Sequence, residues 1–293
     1  MSVLGAHMSV SGGLHKAIDA AVALKMDTVQ IFTSSPSQWA AKPLDRPAIE
    51  AWHHTWKASG LVHPIAHASY LINLAGIDEL FQKSVDALVD QWQRCEALHL
   101  NGLVVHPGAF TKTSEPEGIQ KVAEGVIEAF QRVVPKHCRL LLENTAGQGT
   151  CLGHQISQLG SMIDRAIDQA PTLKKHIGVC IDTCHAFAAG YEIHKEEGLA
   201  AFCKELKTLL PRGSVKALHL NDSKKPLGSR VDRHEHIGHG AIGLEAFGRI
   251  LNDSMFAKIP GYLETEKGRI DDSGLEWDAI NMLALRNLSG KLA

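Results

Sequence analysis

The sequence predicts a (β/α)8 barrel, and three observations carry that expectation. Eight short, β-rich apolar runs alternate with longer segments of helical period, the pattern of parallel strands joined by crossover helices. The runs recur evenly: His67 to His106 is 39 residues, on to Glu143 is 37, to Asp182 is 39, to His219 is 37, and to Glu264 is 45. Each interval holds one strand, one helix and two loops, and eight such units fit a barrel of about 250 residues better than an open doubly wound sheet. No GxGxxG opens a helix, which weakens a dinucleotide-binding alternative. No Pro/Gly/Ser linker or low-complexity tract divides the chain, so residues 1–293 are expected to form one barrel domain.

Taken in order, "VLGAHM" closes on His7, and "TVQIFT" leads into the loop "FTSSPSQW" with Gln38 and Trp39. "HPIAHAS" ends on His67, and the segment after it, "IDELFQKSVDALVDQWQRCEALH", places Leu80, Val85, Leu88, Val89 and Trp92 at helical spacings of three and four. "GLVVHPG", "RLLLENT", "IGVCIDT" and "VKALHLN" end on His106, Glu143, Asp182 and His219, and "GYLETE" brings Glu264. The last interval is the longest, leaving room for an inserted loop that contains "VDRHEHIGHG".

Bulk properties narrow the class. A chain of 293 residues that is 44% hydrophobic can bury a large core. There is no signal-peptide pattern and no apolar run of about 18 residues, so a cytoplasmic protein with no membrane partner is expected. Six cysteines form no CxxC pair, and several lie in apolar runs, as buried reduced thiols do. The net charge of -2 gives no global argument for nucleic acid, although steering depends on where charges sit. The 17 histidines raise the expectation of a metal site.

A single histidine closing a strand is more often a hydrogen-bonded residue than a ligand. His67, His106, Glu143, Asp182, His219 and Glu264, in register on the rim where barrel active sites sit, are different. Six imidazoles and carboxylates aimed at one place are costly unless a cation orders them. The mixture suits zinc, manganese or iron better than an all-oxygen magnesium or calcium cage, and six such groups suffice for two metals if one carboxylate bridges. His185 lies three residues past Asp182, and Asp232 and His234 are an Asp-x-His pair whose side chains share a face on an extended segment. These three would make a further three-ligand site. "SKKPLGSRVDRH" brings Lys224, Lys225, Arg230 and Arg233 to the same rim, a local basic patch that phosphates favour.

Long motifs in order, "LGAHMSVSGGL", "HASYLINLA", "VVHPGA", "LENTAGQGT", "GVCIDTCHAFAAGY", "LHLNDSK", "GSRVDRHEHIG" and "LET", make the chain resemble the endonuclease IV family of apurinic/apyrimidinic endonucleases. The resemblance covers nearly the whole chain and implies a TIM-type barrel with three zinc ions. His67, His106 and Glu143 look like ligands of the first. Glu143 would bridge to a second held with Asp182, His219 and Glu264, and His185, Asp232 and His234 look like ligands of the third. His7 would support the ligands from behind. The implied reaction is hydrolysis of the phosphodiester 5' to an abasic site in double-stranded DNA, giving a 3'-hydroxyl and a 5'-deoxyribose phosphate, with trimming of blocked 3' ends. Metal ions would lower the pKa of water and clamp phosphate oxygens, so no protein nucleophile is needed, and Glu143 and Glu264 are the catalytic candidates. Tyr70 looks like the family residue that enters the minor groove, with Gln38 and Trp39 in the matching loop. Ser37 stands where relatives commonly carry an inserting arginine. A monomer is expected.

Two rivals share parts of this pattern. A two-metal sugar isomerase would also mix histidine and carboxylate on a barrel rim, but it does not need His185, Asp232 and His234. A non-catalytic binder of damaged DNA would not depend on the charge of Glu143 or Glu264.

Overall fold

A computed structural model describes residues 2–270 and 274–290. The strands are β1 (Leu4–His7), β2 (Thr28–Phe32), β3 (Ile65–His67), β4 (Gly102–Val105), β5 (Arg139–Glu143), β6 (Ile177–Asp182), β7 (Val215–His219), β8 (Asp222–Ser223), β9 (His234–Glu235) and β10 (Gly261–Leu263). All but β8 and β9 form a closed parallel barrel in the order β1-β10-β7-β6-β5-β4-β3-β2. Closure is direct, since β1 pairs in parallel with both β2 and β10. Each of the eight apolar runs contains one barrel strand.

The helices are α1 (Leu14–Ala23), α2 (Arg46–Ser59), α3 (Asp78–Ala97), α4 (Glu115–Val133), α5 (Ile156–Gln169), α6 (Thr183–Ala189), α7 (Glu196–Leu209), α8 (Leu244–Asn252) and α9 (Trp277–Leu288). On α3 four of the five residues of the predicted stripe, Val85, Leu88, Val89 and Trp92, are buried in the core, while Leu80 in the first turn is only half-buried. Two tryptophans tie the outer ring to the barrel. Trp52 on α2 and Trp92 on α3 are fully buried, and their indole N–H groups donate to the carbonyls of Leu98 at 3.0 Å and Cys138 at 3.2 Å. The start of α4 is fixed by Ser114, whose N–H and hydroxyl both donate to Glu117 at 2.8 Å, a capping box that satisfies an otherwise orphaned end.

Inside the barrel, Ile65, Val104, Leu141, Cys180, Ala217 and Tyr262 make a closed apolar layer. A packed interior leaves the strand ends as the only polar platform, because charged groups cannot sit unpaired in that layer. Two elements have no clear periodic signal in the sequence. The seven-residue α6 starts directly at the end of β6, and β8 pairs antiparallel with β9 as a two-residue hairpin above the rim. No helix of the described residues is long and apolar enough to cross a membrane.

Candidate metal centre

Strands β1, β3, β5, β6 and β7 end on His7, His67, Glu143, Asp182 and His219, while His106 and Glu264 follow β4 and β10 by one residue. These positions converge as the register predicts. The Nε2 atoms of His67 and His106 each lie 3.1 Å from Glu143 Oε2. The other oxygen, Glu143 Oε1, is 2.7 Å from His219 Nδ1, which is also 3.2 Å from Glu264 Oε2 and 3.9 Å from Asp182 Oδ2. Glu143 therefore stands between two ligand groups, with one oxygen turned to each.

The third group assembles from α6 and the hairpin. His185 Nε2 is 3.1 Å from Asp232 Oδ2, and His234 Nε2 is 3.3 Å from Asp232 Oδ1 and 3.6 Å from Asp182 Oδ2. Asp182 has donor atoms close to both the second and the third groups, a sharing that the sequence did not reveal. The Asp-x-His alternation holds: Asp232 and His234 turn inward and half-buried, and Arg233 between them is exposed.

Each of four imidazoles spends one nitrogen on an oxygen behind it. His67 donates from Nδ1 to the Ala68 carbonyl at 2.7 Å, His185 from Nδ1 to the Asn144 carbonyl at 2.9 Å, and His234 from Nδ1 to the Glu264 carbonyl at 3.3 Å. His219 uses Nε2, donating to Gln30 Oε1 at 2.8 Å, while the Gln30 amide donates to Glu264 Oε1 at 2.5 Å and contacts His7 Nδ1 at 3.0 Å. Fixing one nitrogen in this way sets the tautomer and aims the other at the carboxylates, the arrangement metal-binding histidines adopt. His7 thus acts through Gln30 behind the ligands.

The ligands have a scaffold of their own. Asn144 accepts the Asp182 N–H at 2.7 Å and donates to its carbonyl at 3.1 Å, and Asn221 donates to Asp182 Oδ2 at 2.7 Å and accepts the Glu264 N–H at 2.8 Å. Asp222 is fully buried, and its carboxylate accepts five backbone N–H groups: Ser223 at 2.8 Å, Ile242 at 2.9 Å, Gly238 at 3.0 Å, Gly240 at 3.1 Å and Gly243 at 3.3 Å. That cradle folds the chain after His234 back on itself. It also explains Gly240, where a Cβ would come within 2.5 Å of Asp222 Oδ1, and Gly238, which sits at φ 80°. His236 supports the same segment from the far side, stacked 3.8 Å over Trp277 of α9, while Asn281 accepts the Ile237 N–H at 3.0 Å. Gln30, Asn144, Asn221 and Asp222 were not read as site residues, although the last three lie one to three positions past a strand-end ligand, where a signal was available.

The donor set fits cations. The Nε2 atoms of both His185 and His234 are buried without a hydrogen-bond partner, although carboxylate oxygens face them, and such orphaned polar atoms are costly unless something positive lies between. Burial would lower the pKa of His185, but Asp182, Asp232 and Glu143 overturn that and hold it well above the usual histidine value. Burial would likewise raise Glu143, yet His219 and His106 hold it well below the carboxylate range. Asp232, also raised by burial, is brought down to about 2 by His185 and then His234. Cys180 and Cys184 also lie within reach of these groups, Cys180 beside Glu143 and His219 and Cys184 beside Asp232 and His234, and burial pushes both thiols up to about 12.

The expected DNA contacts surround this centre. Tyr70 is 62% exposed, with its ring 5.3 Å from His67 and 6.3 Å from His106, directly beside the first group. Gln38 and Trp39 are exposed in the loop after β2, beside Ser37, whose hydroxyl lies 3.3 Å from that of Ser35. Lys224, Arg230 and Arg233 are exposed along the segment joining β8 to β9, where Lys224 is 3.5 Å from Glu266 and Arg230 holds a left-handed φ of 52°. A cavity of about 210 Å3 opens between Tyr70, His106, Gly147, Cys151, His185 and Asp232.

A polar rim of this composition on a closed parallel barrel defines a class. The family model described as "Xylose isomerase-like TIM barrel" matches residues 18–285. Within that class the relatives are specific. "Probable endonuclease 4" of Geobacter sp. strain M21 is 43% identical over 98% of this chain and 99% of its own, and that of Chloroflexus aurantiacus strain J-10-fl is 42% identical over 98% of each. The crystal structure of endonuclease IV from Thermus thermophilus superimposes with a TM-score of 0.84 at 34% identity, covering 97% of this chain and 98% of that one. The chain belongs to the endonuclease IV family and is a nuclease. A D-tagatose 3-epimerase-like protein also aligns, with a TM-score of 0.71 at 18% identity, a likeness of fold alone.

Proposed function

We propose that this protein is a zinc-dependent apurinic/apyrimidinic endonuclease of base excision repair. It cleaves duplex DNA on the 5' side of an abasic site, leaves a 3'-hydroxyl and a 5'-deoxyribose phosphate, and trims blocked 3' ends. The observation that carries this reading is the third set beside the two around Glu143, in which Asp232 lies 3.1 Å from His185 and 3.3 Å from His234, both with an orphaned imidazole nitrogen. The third group is what a two-metal sugar isomerase has no use for.

Three zinc ions are proposed: one with His67, His106 and Glu143, one with Glu143, Asp182, His219 and Glu264, and one with His185, Asp232 and His234. Manganese or iron can substitute, since they share these ligands. Bound divalent cations supply Lewis acidity, making water nucleophilic near neutral pH and neutralising phosphate charge. The chain's own residues do the rest. Glu143, with an oxygen toward each of two groups, fixes their spacing, and Gln30 holds Glu264 and His219 in one orientation. Tyr70 stands over the first group and can occupy the gap in a duplex where a base is missing. An abasic nucleotide has no base to unstack, so turning it toward the rim is inexpensive. Lys224, Arg230 and Arg233 meet flanking phosphates, with Gln38 and Trp39 on the opposite side. The whole chain works as a single barrel domain, as a monomer, in the cytoplasm.

Incubation of the purified protein with a duplex carrying one abasic site, with elemental analysis alongside, tests this directly. Nicking 5' to the site and about three metal ions per chain are expected. Turnover of a keto sugar with no nicking would sink the reading.

A further inference from the structure

The opposite end of the barrel carries a second concentration of charge. Arg139 at the start of β5, Lys174 and Lys175 in the short helical turn Pro171–Lys175, Arg212 before β7 and Lys216 on β7 all line one cavity of about 350 Å3. No acidic residue lines it, and none of these five cations makes an ion pair among the described residues. Other surface cations that lie close to acids do pair, as Lys16, Lys83, Lys121, Arg132 and Lys195 do, so what marks this cluster is five cations converging on one cavity without a carboxylate.

The backbone is arranged to produce this cluster. The β6–β7 register jumps from Val179 opposite Val215 to Cys180 opposite Ala217, so Lys216 is the extra residue of a β-bulge. Bulges re-aim side chains, and this one turns Lys216 out between two buried neighbours. Gly178 leaves room for the lysine stem, since a Cβ there would come within 2.9 Å of Lys216 Cγ. Ser214, which also lines the cavity, is 9% exposed, and its hydroxyl is buried with no partner. Burial and then the nearby Arg139 lower the Lys216 pKa, so an anion in the cavity would favour its charged form. Ile163, Ile167 and Pro211 complete the lining as an apolar wall.

We propose that this cavity is a binding site for a small phosphorylated anion of nucleotide size, its phosphates held by Arg139, Lys216, Arg212 and the Ser214 hydroxyl. Several converging cations and a free hydroxyl match the charge and acceptor oxygens of phosphate. The volume suits a small ligand. Duplex DNA, by contrast, needs an extended exposed stripe rather than a pocket. The site is distinct from the rim and independent of the reaction there.

Calorimetric titration of the metal-loaded protein with ADP tests it, with the rim common to every variant. A class of ADP binding is expected that Arg139→Gln/Lys216→Gln weakens by about tenfold or more, because charge-assisted hydrogen bonds are lost. Lys174→Gln/Lys175→Gln, at exposed positions that strand no partner, is expected to weaken it in the same direction, with abasic-site cleavage unchanged in both. Adenosine is expected not to bind there. Inorganic phosphate is expected to bind the same residues more weakly than ADP, and equal affinity would overturn the nucleotide-sized ligand. Unchanged ADP affinity in both variants, or adenosine binding as tightly as ADP, would overturn the proposal. So would displacement of ADP by an undamaged duplex that depends on the same residues, which would assign the cavity to a DNA backbone.

Discussion

Glu143 is where chemistry and geometry meet at the scale of one residue, because its two oxygens face different ligand groups. Glu143→Gln keeps the shape and removes the charge. Abasic-site nicking is expected to fall by roughly a thousandfold or more with the circular-dichroism spectrum intact, as when an electrostatic stabiliser is deleted. Cleavage at the parental rate would remove Glu143 from the mechanism. Gln30→Leu is the corresponding change behind the ligands, and about 10- to 100-fold weaker metal retention is expected in a chelator-competition titration. The difference between these residues explains what was legible. His67, His106, Glu143, Asp182, His219 and Glu264 could be read because residue type and strand-end position coincide. Gln30 could not, since a glutamine on an apolar strand carries no chemical signature until its side-chain contacts with His7, His219 and Glu264 are seen.

At the scale of elements, the hairpin of β8 and β9 is set by Asp222. Asp222→Asn turns an acceptor of five N–H groups into a weaker one, a cost of about 2 kcal/mol for buried donors left poorly satisfied. Hydrogen exchange at Gly238, Gly240, Ile242 and Gly243 is expected to speed up, with preferential loss of one metal of the proposed three. Equal loss of every metal would instead mean a general destabilisation. The helices test a simpler rule: Trp92→Ala empties a fully buried site on α3 and is expected to cost about 4 kcal/mol in denaturant unfolding. The barrel strands and α3 were readable because period and apolar pattern agree. The hairpin and α6 were not, because two-residue strands and a seven-residue helix are too short for any period to register and are held by tertiary contacts.

For the molecule as a whole, metal, protons and stability are linked. Against the effect of burial, Asp182, Asp232 and Glu143 raise His185, and Cys180, then Glu264 and Glu143, raise His219, above the ordinary histidine value. For the metal-free protein the sign follows: this contribution to stability is full below the unfolded pKa and is lost as pH rises through the raised folded value. Metal binding needs the neutral imidazole, so it strengthens over the same rise. The gap in melting temperature between loaded and chelator-treated protein is therefore expected to widen as pH rises from the acid side through the raised folded value of these histidines. A gap independent of pH would show that these histidines do not bind the metal.

The hairpin also divides labour. Lys224 to Val231 run between its two short strands and are tied to α6, the Gly228 N–H donating to the Phe187 carbonyl at 3.1 Å and the Arg230 N–H to that of Ala188 at 2.9 Å, while Ser223 and His234 are paired to each other. Because the backbone makes those bonds, the exposed side chains of Lys224, Lys225 and Arg230 can change charge without moving a ligand. If those side chains meet DNA as proposed, a lineage, or an engineer, could retune that grip while the cutting centre stays as it is.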